Sequence, residues 1–380
     1  MGPKVVGKVE PVRAGLSVDI MTGLRSLMTS LALCWTLVTV DSMGCLSETG
    51  KPVDWFIVYK LPVLPKNANS VLQEGLGFYY MDDNSPTWML SKVGINGSVT
   101  NPVYNTVQQI YNQPKNENYM YMMYNDQTPS SESLNHGHTK GVLSFDTQDG
   151  FWLVHSTPRF PPNKTSRWAW PESAKDYGQA FLCVTYPTTM MDKIGEQLLY
   201  NYPKIYDKFF PASFATESPM MNKILGDTQS HVSQLPWYHK TTLVSKAGHQ
   251  FVSYAKFGKF MADLYDDLVA IDLHCDIMVE SWQKGGAKQN LPTNCSSQYK
   301  VYNVQNVTFP VGGVSFLETK DHSKWAVSVD KGEWTCIGDI NRQLSQFHRA
   351  GGTVCFQHKQ VWKSFKALVA TYEPCPKETW

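Results

Sequence analysis

Short runs of apolar and aromatic residues alternate with polar or breaker-rich segments along most of the chain. Residues 53–62, VDWFIVYKLP, are rich in β-branched and aromatic residues and stop at a proline, which is typical of a buried strand. Residues 101–113, NPVYNTVQQIYNQ, have the spacing of a helix, and residues 118–126, NYMYMMYND, predict another strand. The first half of the chain is therefore predicted to be mixed α/β.

The second half shows the same two kinds of pattern. Residues 252–273, VSYAKFGKFMADLYDDLVAIDL, have apolar residues at helical spacing, and residues 351–357, GGTVCFQ, predict a strand. A breaker-rich loop is predicted at residues 280–297. A C-terminal helix is predicted from an apolar stripe, formed by Val361, Phe365, Leu368 and Tyr372.

A polar triplet opens one predicted strand and recurs later in the chain. HTKGVLSFD at residues 138–146 aligns without a gap with HSKWAVSVD at residues 322–330. Because side chains at i and i+2 of a strand share a face, each histidine projects beside its lysine. The offset is 184 residues (322 minus 138), about half of the chain, which predicts two similar halves that each contribute one His-Lys strand.

Two imidazoles and two ammonium groups that meet between such halves suit phosphodiester cleavage. One imidazole can attack phosphorus to form a phosphohistidine, while the other, protonated, donates a proton to the departing oxygen. The lysines can stabilise the non-bridging oxygens as negative charge develops. No carboxylate cluster has the spacing typical of a Mg²⁺ or Zn²⁺ site, so the pattern predicts a reaction without metal.

The overall charge narrows the class of partner. The chain has 34 Lys+Arg against 33 Asp+Glu, a formal net charge of +1, which argues against a constitutively basic nucleic-acid binder. All ten histidines lie after residue 44, so the chain is expected to gain up to about ten positive charges at a pH near 5. A protein that is nearly neutral outside an acidic organelle would then be cationic inside it.

The N-terminus predicts export. Residues 21–44 contain a 14-residue apolar run at 27–40, too short to span a bilayer, and are interpreted as a signal peptide, with a short membrane-proximal anchor as the alternative. Residues 1–20 have no place in that scheme and are set apart as an N-terminal extension. The rest of the chain divides into a first half-domain at 45–185, with the HTK motif, and a second at 186–380, with the HSK motif.

Cysteines and sequons agree with a secretory route. Seven cysteines remain after the signal peptide without C-x-x-C spacing, so neither a zinc site nor a thioredoxin motif is indicated. The count allows three disulfides and one free thiol. Four glycosylation sequons are present, at Asn96, Asn163, Asn294 and Asn306.

Dispersed segments of the chain resemble the deoxyribonuclease II family, the acid endonucleases of lysosomes, over about residues 45–375. The segments are KPVDWFIVYKLP, YNDQ, GHTKGVL, GFWLVHSTPRFPP, LPTNCS, DHSKW and WTCIGDINR. That family is similar to the phospholipase D superfamily in its paired His-x-Lys motifs. The resemblance implies an α/β pseudodimer of two phospholipase D-like half-domains, with mixed sheets flanked by helices. It also implies cleavage of double-stranded DNA without metal or other cofactor, to 3′-phosphate ends.

The resemblance also implies roles for single residues. It makes His322 the main catalytic histidine with Lys324 beside it, and it makes His138 and Lys140 the first half-site. His155, in FWLVHS, is a further catalytic histidine, and Asn341, in GDINR, fits a substrate-binding amide of the second half. The disulfides it implies are Cys45–Cys183, Cys295–Cys375 and Cys336–Cys355, with Cys275 free.

The chain departs from the expected pattern at several positions. Asp146 and Asp330 lie six residues after the motif lysines, where the superfamily usually has an aspartate at five, so neither is given its role. Ala326 stands where the family has a cysteine, and Cys275 has no obvious counterpart. Which histidine is the nucleophile stays open at this point.

The resemblance places the protein in the lysosome, degrading apoptotic or engulfed DNA, with secretion as the other destination. Its partner would be double-stranded DNA, with no membrane after removal of the signal; a monomer is favoured. One alternative is another lysosomal phosphodiesterase that acts on phospholipid or RNA with the same His-Lys pairs. A second is a catalytically silent nucleic-acid or cell-surface binder on the same scaffold.

Overall fold

A computed structural model describes residues 42–284, 286 and 288–376, together with residues 1–3 and 7. The predicted N-terminal extension and signal peptide lie outside the described residues, apart from residues 1–3, 7 and 42–44.

The described residues form strands and helices in alternation. The strands of the first part are β1 Cys45–Leu46, β2 Pro52–Val53, β3 Trp55–Lys60, β4 Phe78–Asp82, β5 Ser85–Leu90, β6 Tyr119–Asn125, β7 Lys140–Asp146, β8 Asp149–His155, β9 Gln179–Pro187 and β10 Ile205–Phe209. The later strands are β11 Tyr238–Val244, β12 Gln250–Lys256, β13 Ile277–Glu280, β14 Val301–Phe309, β15 Val314–Leu317, β16 Trp325–Ser328, β17 Trp334–Gly338, β18 Gly351–Gln357 and β19 Val369–Tyr372. The helices are α1 Ser70–Gln73, α2 Pro102–Asn112, α3 Met191–Asn201, α4 Ala212–Glu217, α5 Pro219–Leu225, α6 Ala270–Leu273 and α7 Lys359–Lys366.

Two large sheets dominate this α/β fold. The first has the order β10-β6-β7-β8-β9-β3-β4-β5, and its neighbouring strands are antiparallel. The second has the order β11-β12-β18-β17-β16-β13-β14-β15, with β19 also on β14, and is mixed because β13 and β14 run parallel. Five strands of one sheet, β3-β9-β8-β7-β6, follow the same order as β12-β18-β17-β16-β13 of the other. The two predicted His-Lys strands, β7 and β16, thus occupy equivalent positions.

The connection between the sheets lies within residues 186–237. Strand β10 joins the first sheet beside β6, whereas α3, which precedes it, packs against β11, β12 and β18 of the second sheet. Each sheet therefore receives an element from beyond residue 185. The predicted boundary between 185 and 186 stays a prediction.

Strand β3 shows why the apolar runs of the sequence are continuous. Its alternate residues Trp55, Ile57 and Tyr59 pack into a core shared by both sheets, while Phe56 and Val58 face a second core that includes α2. A strand covered on both faces has no solvent side, so it does not need polar residues at every second position. The predicted strand at 53–62, the helix at 101–113 and the strand at 118–126 correspond to β3, α2 and β6.

Two predicted helices are wrong in extent. Residues 252–256 belong to β12, which pairs with β11 and β18, and Met261 has a left-handed backbone, with φ of 60°. A single 3₁₀ turn spans Gly258–Phe260, and longer helical turns begin only at Tyr265 and continue into α6. The C-terminal helix ends at Lys366, and Tyr372 lies in β19, paired with β14. In both places the hydrogen bonds of a sheet outweigh a helical spacing of apolar residues.

The described residues contain three disulfides, Cys45–Cys183, Cys295–Cys375 and Cys336–Cys355, the same pairs that the resemblance implied. Cys275 is buried and unbridged. In the part of the chain that the structure describes, no helix combines the length and apolar character needed to cross a bilayer.

Candidate active site

The two His-Lys motifs meet in one cavity. Lys140 is the first residue of β7 and Lys324 directly precedes β16, so each motif lies where its strand begins. His138, Lys140, His322 and Lys324 line a cavity of about 260 Å³. Asn341, from the loop after β17, also lines it. The structure therefore brings together five of the six predicted catalytic and substrate-binding residues.

Lys140 is fixed by a buried carboxylate that sequence reasoning missed. Lys140 Nζ donates to Asp126 Oδ1, and Arg349 donates to Asp126 Oδ2 at 3.1 Å. Burial disfavours the charged carboxylate, but Lys140, His138 and Arg349 outweigh it, and the pKa of Asp126 lies below its ordinary value. One anion thus joins two cations from different parts of the chain, which leaves one positive charge in excess.

His138 has a defined hydrogen-bonding state. Its backbone N–H donates to Ala350 O at 2.8 Å, and its ring Nδ1 lies 2.9 Å from Gln346 Oε1. Because an amide oxygen can only accept, Nδ1 carries the proton, and Nε2 of the neutral ring carries the lone pair. Burial, followed by the charge of Lys140, holds the pKa of His138 well below its usual value.

His322 lies between two aromatic rings. Its ring stacks on Tyr177 at 4.0 Å with an angle of 10° between planes, and Trp282 approaches at 4.3 Å. Its backbone N–H donates to Gly178 O at 2.9 Å. Nε2 is buried and has no hydrogen-bond partner among the described residues. Burial, then the charges of Lys324 and Lys140, lower the pKa of His322 to about 2.

Lys324 shares the second half-site with His322. Its Nζ donates to His322 O at 2.6 Å, and its side chain is buried. Burial and the nearby charge of Lys140 lower the pKa of Lys324 to about 7, although Asp321, Asp126 and Asp339 act in the opposite direction. The ammonium group therefore gains its full charge only as the solution becomes acidic.

Two further buried groups, Asp339 and Asn341, follow strand β17. Asp339 Oδ1 accepts a hydrogen bond from Gly352 N at 2.9 Å, and burial raises the pKa of this carboxyl to about 6. Asn341 Oδ1 is buried without a hydrogen-bond partner among the described residues. The Asn341 amide therefore has an acceptor that remains unsatisfied within the protein.

His155 does not line the cavity. It is 1% exposed at the end of β8, its ring packs against Phe160 and Phe181, and its Nδ1 accepts from Thr157 N at 3.2 Å. Burial, then the charge of Lys140, lowers the pKa of His155 to about 3. Its position behind Lys140 suits a role exerted through that lysine, and its predicted catalytic role stays a prediction.

Burial limits the charge that histidines can add in acid. It lowers the pKa of five of the ten, His136, His138, His155, His322 and His358. His155 and His322 stay neutral near pH 5 in the protein alone. The composition alone therefore overestimates the gain of about ten charges.

Over the ranges 42–284 and 288–376, no group of three or more His, Cys, Asp or Glu side chains could hold an ion. Asn96 is exposed, and the other three sequon asparagines are half-buried. Asn294 Nδ2 donates to Ser297 Oγ at 2.8 Å and to Asp266. Glycosylation at the four sites stays a prediction.

Several residues of the site were not found from the sequence: Asp126, Tyr177, Trp282, Gln346 and Arg349. Asp126 gave a local signal, since it directly follows β6 in the quoted YNDQ segment. Trp282 lies in the breaker-rich loop predicted at residues 280–297, where no local pattern marks a site residue. Gln346 contacts a residue 208 positions away, a distance over which no local pattern is informative.

The cavity thus combines two imidazoles with three cationic side chains around a single buried carboxylate. Such a site can bind a phosphate anion and exchange protons with it. Its class is that of a phosphate-handling active site.

Comparison with known proteins agrees with this class. The family model of deoxyribonuclease II matches residues 44–375. Deoxyribonuclease-2-alpha of Mus musculus is 42% identical over 362 residues, covering 93% of this chain and 99% of that protein. Plancitoxin-1 of Acanthaster planci is 42% identical, covering 89% and 94%, and deoxyribonuclease-2-beta of Homo sapiens is 35% identical, covering 92% and 98%. The chain belongs to the deoxyribonuclease II family and is a deoxyribonuclease II-type endonuclease.

Proposed function

We propose that this enzyme hydrolyses double-stranded DNA in acid, without a metal, through a phosphohistidine intermediate that leaves 3′-phosphate ends. The observation that carries the proposal is the meeting of His138, Lys140, His322 and Lys324 in one cavity. This set contains a nucleophile, a proton donor and two cations for the phosphate oxygens, which are the groups that the reaction needs.

The cavity charge supports phosphate binding. Lys140, Lys324 and Arg349 are cationic in acid and face one strongly ionised carboxylate, Asp126. Because Asp126 is already shared by Lys140 and Arg349, it orients both side chains without cancelling their charge. A phosphodiester would supply the missing anion, and the amide of Asn341 would bind beside it.

We assign the attack to His322. Its low pKa keeps the imidazole neutral in acid, and Nε2 is not engaged by any described residue. Stacking on Tyr177 limits the rotation of the ring. A neutral nitrogen that is fixed in orientation and not engaged by the protein is suited to in-line attack on phosphorus.

We assign the proton donation to His138. With Nδ1 bonded to Gln346, a protonated ring presents its second N–H at Nε2. A bound phosphate anion raises the pKa of this imidazole, because it offsets the cations that otherwise lower it. The neighbouring carboxylate of Asp126 also favours the imidazolium.

The proposed reaction has two steps, formation of the phosphohistidine and its hydrolysis. A bond forms between His322 Nε2 and phosphorus, the bond from phosphorus to O5′ breaks, and His138 gives its proton to O5′. Water, which loses a proton to His138, attacks phosphorus and breaks the bond to His322. The phosphate stays on the 3′ oxygen, so the products carry 3′-phosphate and 5′-hydroxyl ends.

Two buried groups support the dependence on acid. As the pH falls through about 7 Lys324 gains a proton, and as it falls through about 6 Asp339 loses its negative charge. Both changes make the cavity more positive, and both favour the binding of a phosphate. The rate should therefore fall from acid toward neutral pH.

We also propose that the two halves form a phospholipase D-like pseudodimer in a protein of the lysosome. The matching order of five strands in each sheet supports the first statement. Three disulfides support passage through an oxidising compartment. Fractionation of cells that express the full chain, read by activity in the lysosomal fraction, tests the location.

Plasmid cleavage at about pH 5 in EDTA tests the reaction. Cleavage should persist in EDTA, and end-labelling should find 5′-hydroxyl ends. An RNA substrate in parallel distinguishes a general phosphodiesterase. Loss of cleavage in EDTA, or 5′-phosphate products, would require a different mechanism.

A further inference from the structure

A buried lysine ends strand β3. Lys60 is fully buried, and its Nζ donates to three backbone carbonyls of one loop, Ala174, Lys175 and Tyr177, the last two at 2.6 and 2.7 Å. All three N–H bonds of the ammonium group are thereby used. The loop that receives them continues directly into Gly178 and β9.

A second buried lysine ends strand β12. Lys256 is 1% exposed, and its Nζ donates to the backbone carbonyls of Gln346, Phe347 and Arg349 at 2.8, 3.2 and 2.8 Å. This loop continues directly into Ala350 and β18. Strands β3 and β12 hold the same place in their sheets, so the two lysines are equivalent.

The pairing register shows that the equivalence extends to the catalytic histidines. Lys60 pairs with Gln179, and Lys256 pairs with Gly351. The residue before each of these partners accepts a backbone hydrogen bond from a motif histidine. Gly178 O accepts from His322 N at 2.9 Å, and Ala350 O accepts from His138 N at 2.8 Å.

Each loop therefore serves the histidine of the other half of the chain. The loop bound to Lys60, in the first half, also carries Tyr177, which stacks on His322 in the second half. The loop bound to Lys256, in the second half, also carries Gln346, which accepts from His138 in the first half. Each histidine therefore receives two contacts from the opposite half of the chain. One comes from the backbone and one from a side chain.

We infer that Lys60 and Lys256 are positioning residues that fix the catalytic histidine of the opposite half through these loops. Neither lysine lines the cavity, so neither is proposed to touch the substrate. This inference rests on the proposed function for the roles of His138 and His322, but the contacts themselves do not depend on it.

The chemistry of the lysines favours this role over plain packing. Burying an ammonium group is costly, and an apolar side chain at the end of a buried strand would avoid that cost. Three carbonyls that converge on one donor group define the loop path more narrowly than apolar contact does. Burial lowers the pKa of both lysines, that of Lys60 well below its ordinary value and that of Lys256 to about 8, so Lys256 is still charged in the acidic range where the enzyme is proposed to act.

The test compares the full-length variants K60M and K256M, with K208M as the control. Methionine keeps the length of the side chain and removes the three donors. Lys208 also donates to two backbone carbonyls, Leu225 and Gly226, but lies away from the cavity. Two readouts are taken: kcat and KM on plasmid DNA, and the pKa of each motif histidine from the exchange of its ring C2 proton, followed by mass spectrometry.

K60M and K256M should each lower kcat by about 10²-fold with little change in KM, because a displaced group loses alignment more than binding. The histidine readout should be crossed: K256M changes His138 and not His322, and K60M changes His322 and not His138. Because the charge of Lys60 itself lowers the pKa of His322, K60R, which keeps that charge, is measured beside K60M to separate displacement of the loop from loss of the charge. K208M should change neither. Folded variants with the wild-type kcat and unchanged histidine pKa values would overturn the inference, as would an effect of each lysine on the histidine of its own half.

If the methionine variants do not fold, the same crossed comparison is made with K60R and K256R. Arginine keeps the positive charge and the N–H donors but places them at a different distance from the backbone. If the wild type does not cleave DNA, the proposed function fails, but the crossed histidine readout still supports or overturns the positioning role on its own.

Discussion

Gln346 and His138 lie 208 residues apart in sequence and share one hydrogen bond of 2.9 Å, in which the imidazole Nδ1 donates to the amide oxygen. That bond determines which ring nitrogen of His138 is free to exchange a proton with the substrate. Without the acceptor, the proton can move to Nε2, and the ring can rotate.

The variant Q346L should therefore lower kcat by about tenfold to 10²-fold while KM changes little. Leucine retains much of the side-chain volume but cannot accept the proton of Nδ1. L344A, a change at an exposed residue in the same turn, is the control and should retain the wild-type rate. Steady-state kinetics on plasmid DNA decide the question, and a wild-type kcat for Q346L would show that the tautomer of His138 does not limit the reaction.

His322→Ala should lower kcat by about 10³-fold or more, because the proposed attacking nitrogen is removed. The protein should still fold, since the ring of His322 is half-buried at the cavity and its backbone bond to Gly178 remains. His274→Ala is the control, because His274 is exposed and does not line the cavity. Circular dichroism and plasmid cleavage test both expectations, and substantial cleavage by a folded H322A protein would remove His322 from the mechanism.

Asp339→Asn should extend activity toward neutral pH. The carboxyl of Asp339 has a pKa of about 6, so above that pH it places a negative charge near the cavity, and below it the group is neutral like asparagine. The variant should raise the rate at pH 7 relative to that at pH 5 by about threefold to tenfold. A complete pH–rate profile of both proteins measures the shift. If the decline in rate toward neutral pH is the same in both proteins, that decline is due to Lys324 and not to Asp339.

His155 offers a prediction about stability. Its folded pKa of about 3 lies below the ordinary value of about 6.5, so between these values the unfolded chain binds more protons than the folded one. The free energy of unfolding should then fall as the pH drops below 6.5, and this group should cost about 2 kcal/mol at pH 5.

H155Q should abolish that contribution, so it should lose about 2 kcal/mol less than the wild type between pH 7 and pH 5. Glutamine can still accept from Thr157 N but does not titrate. Urea unfolding at both pH values measures the difference, with H274Q, a change of an exposed ring, as the control. Equal losses in wild type and H155Q would mean that His155 is not kept neutral by burial.

The sequence predicted the reactive side chains better than it predicted their surroundings. His138, Lys140, His322 and Lys324 were found because two matching nonamers repeat them in a recognisable local form. Strand β18 was predicted with its observed bounds, residues 351–357, because a compact apolar run coincides with one buried strand.

The errors and omissions have a common physical origin in long-range pairing. Helical spacing at residues 252–273 gave the wrong element because Val252 to Lys256 pair on both sides with distant strands. Tyr177 and Gln346 touch the motif histidines only after the two sheets have come together, and Trp282 reaches His322 only after β13 pairs with β16. Lys60 and Lys256 each end an apolar run, WFIVYK and QFVSYAK, and this shared final lysine is a further local signal in the sequence.

The crossed loops restrict how this protein can be recombined. A chimera that takes one half from a relative also replaces the loop that supports the histidine of the retained half. Such an exchange keeps both His-Lys motifs in the sequence. It nevertheless pairs each motif histidine with a loop from the other protein. The natural unit of exchange is therefore a motif together with the opposing loop, His138 with residues 346–350 or His322 with residues 174–178, and not a contiguous half of the chain.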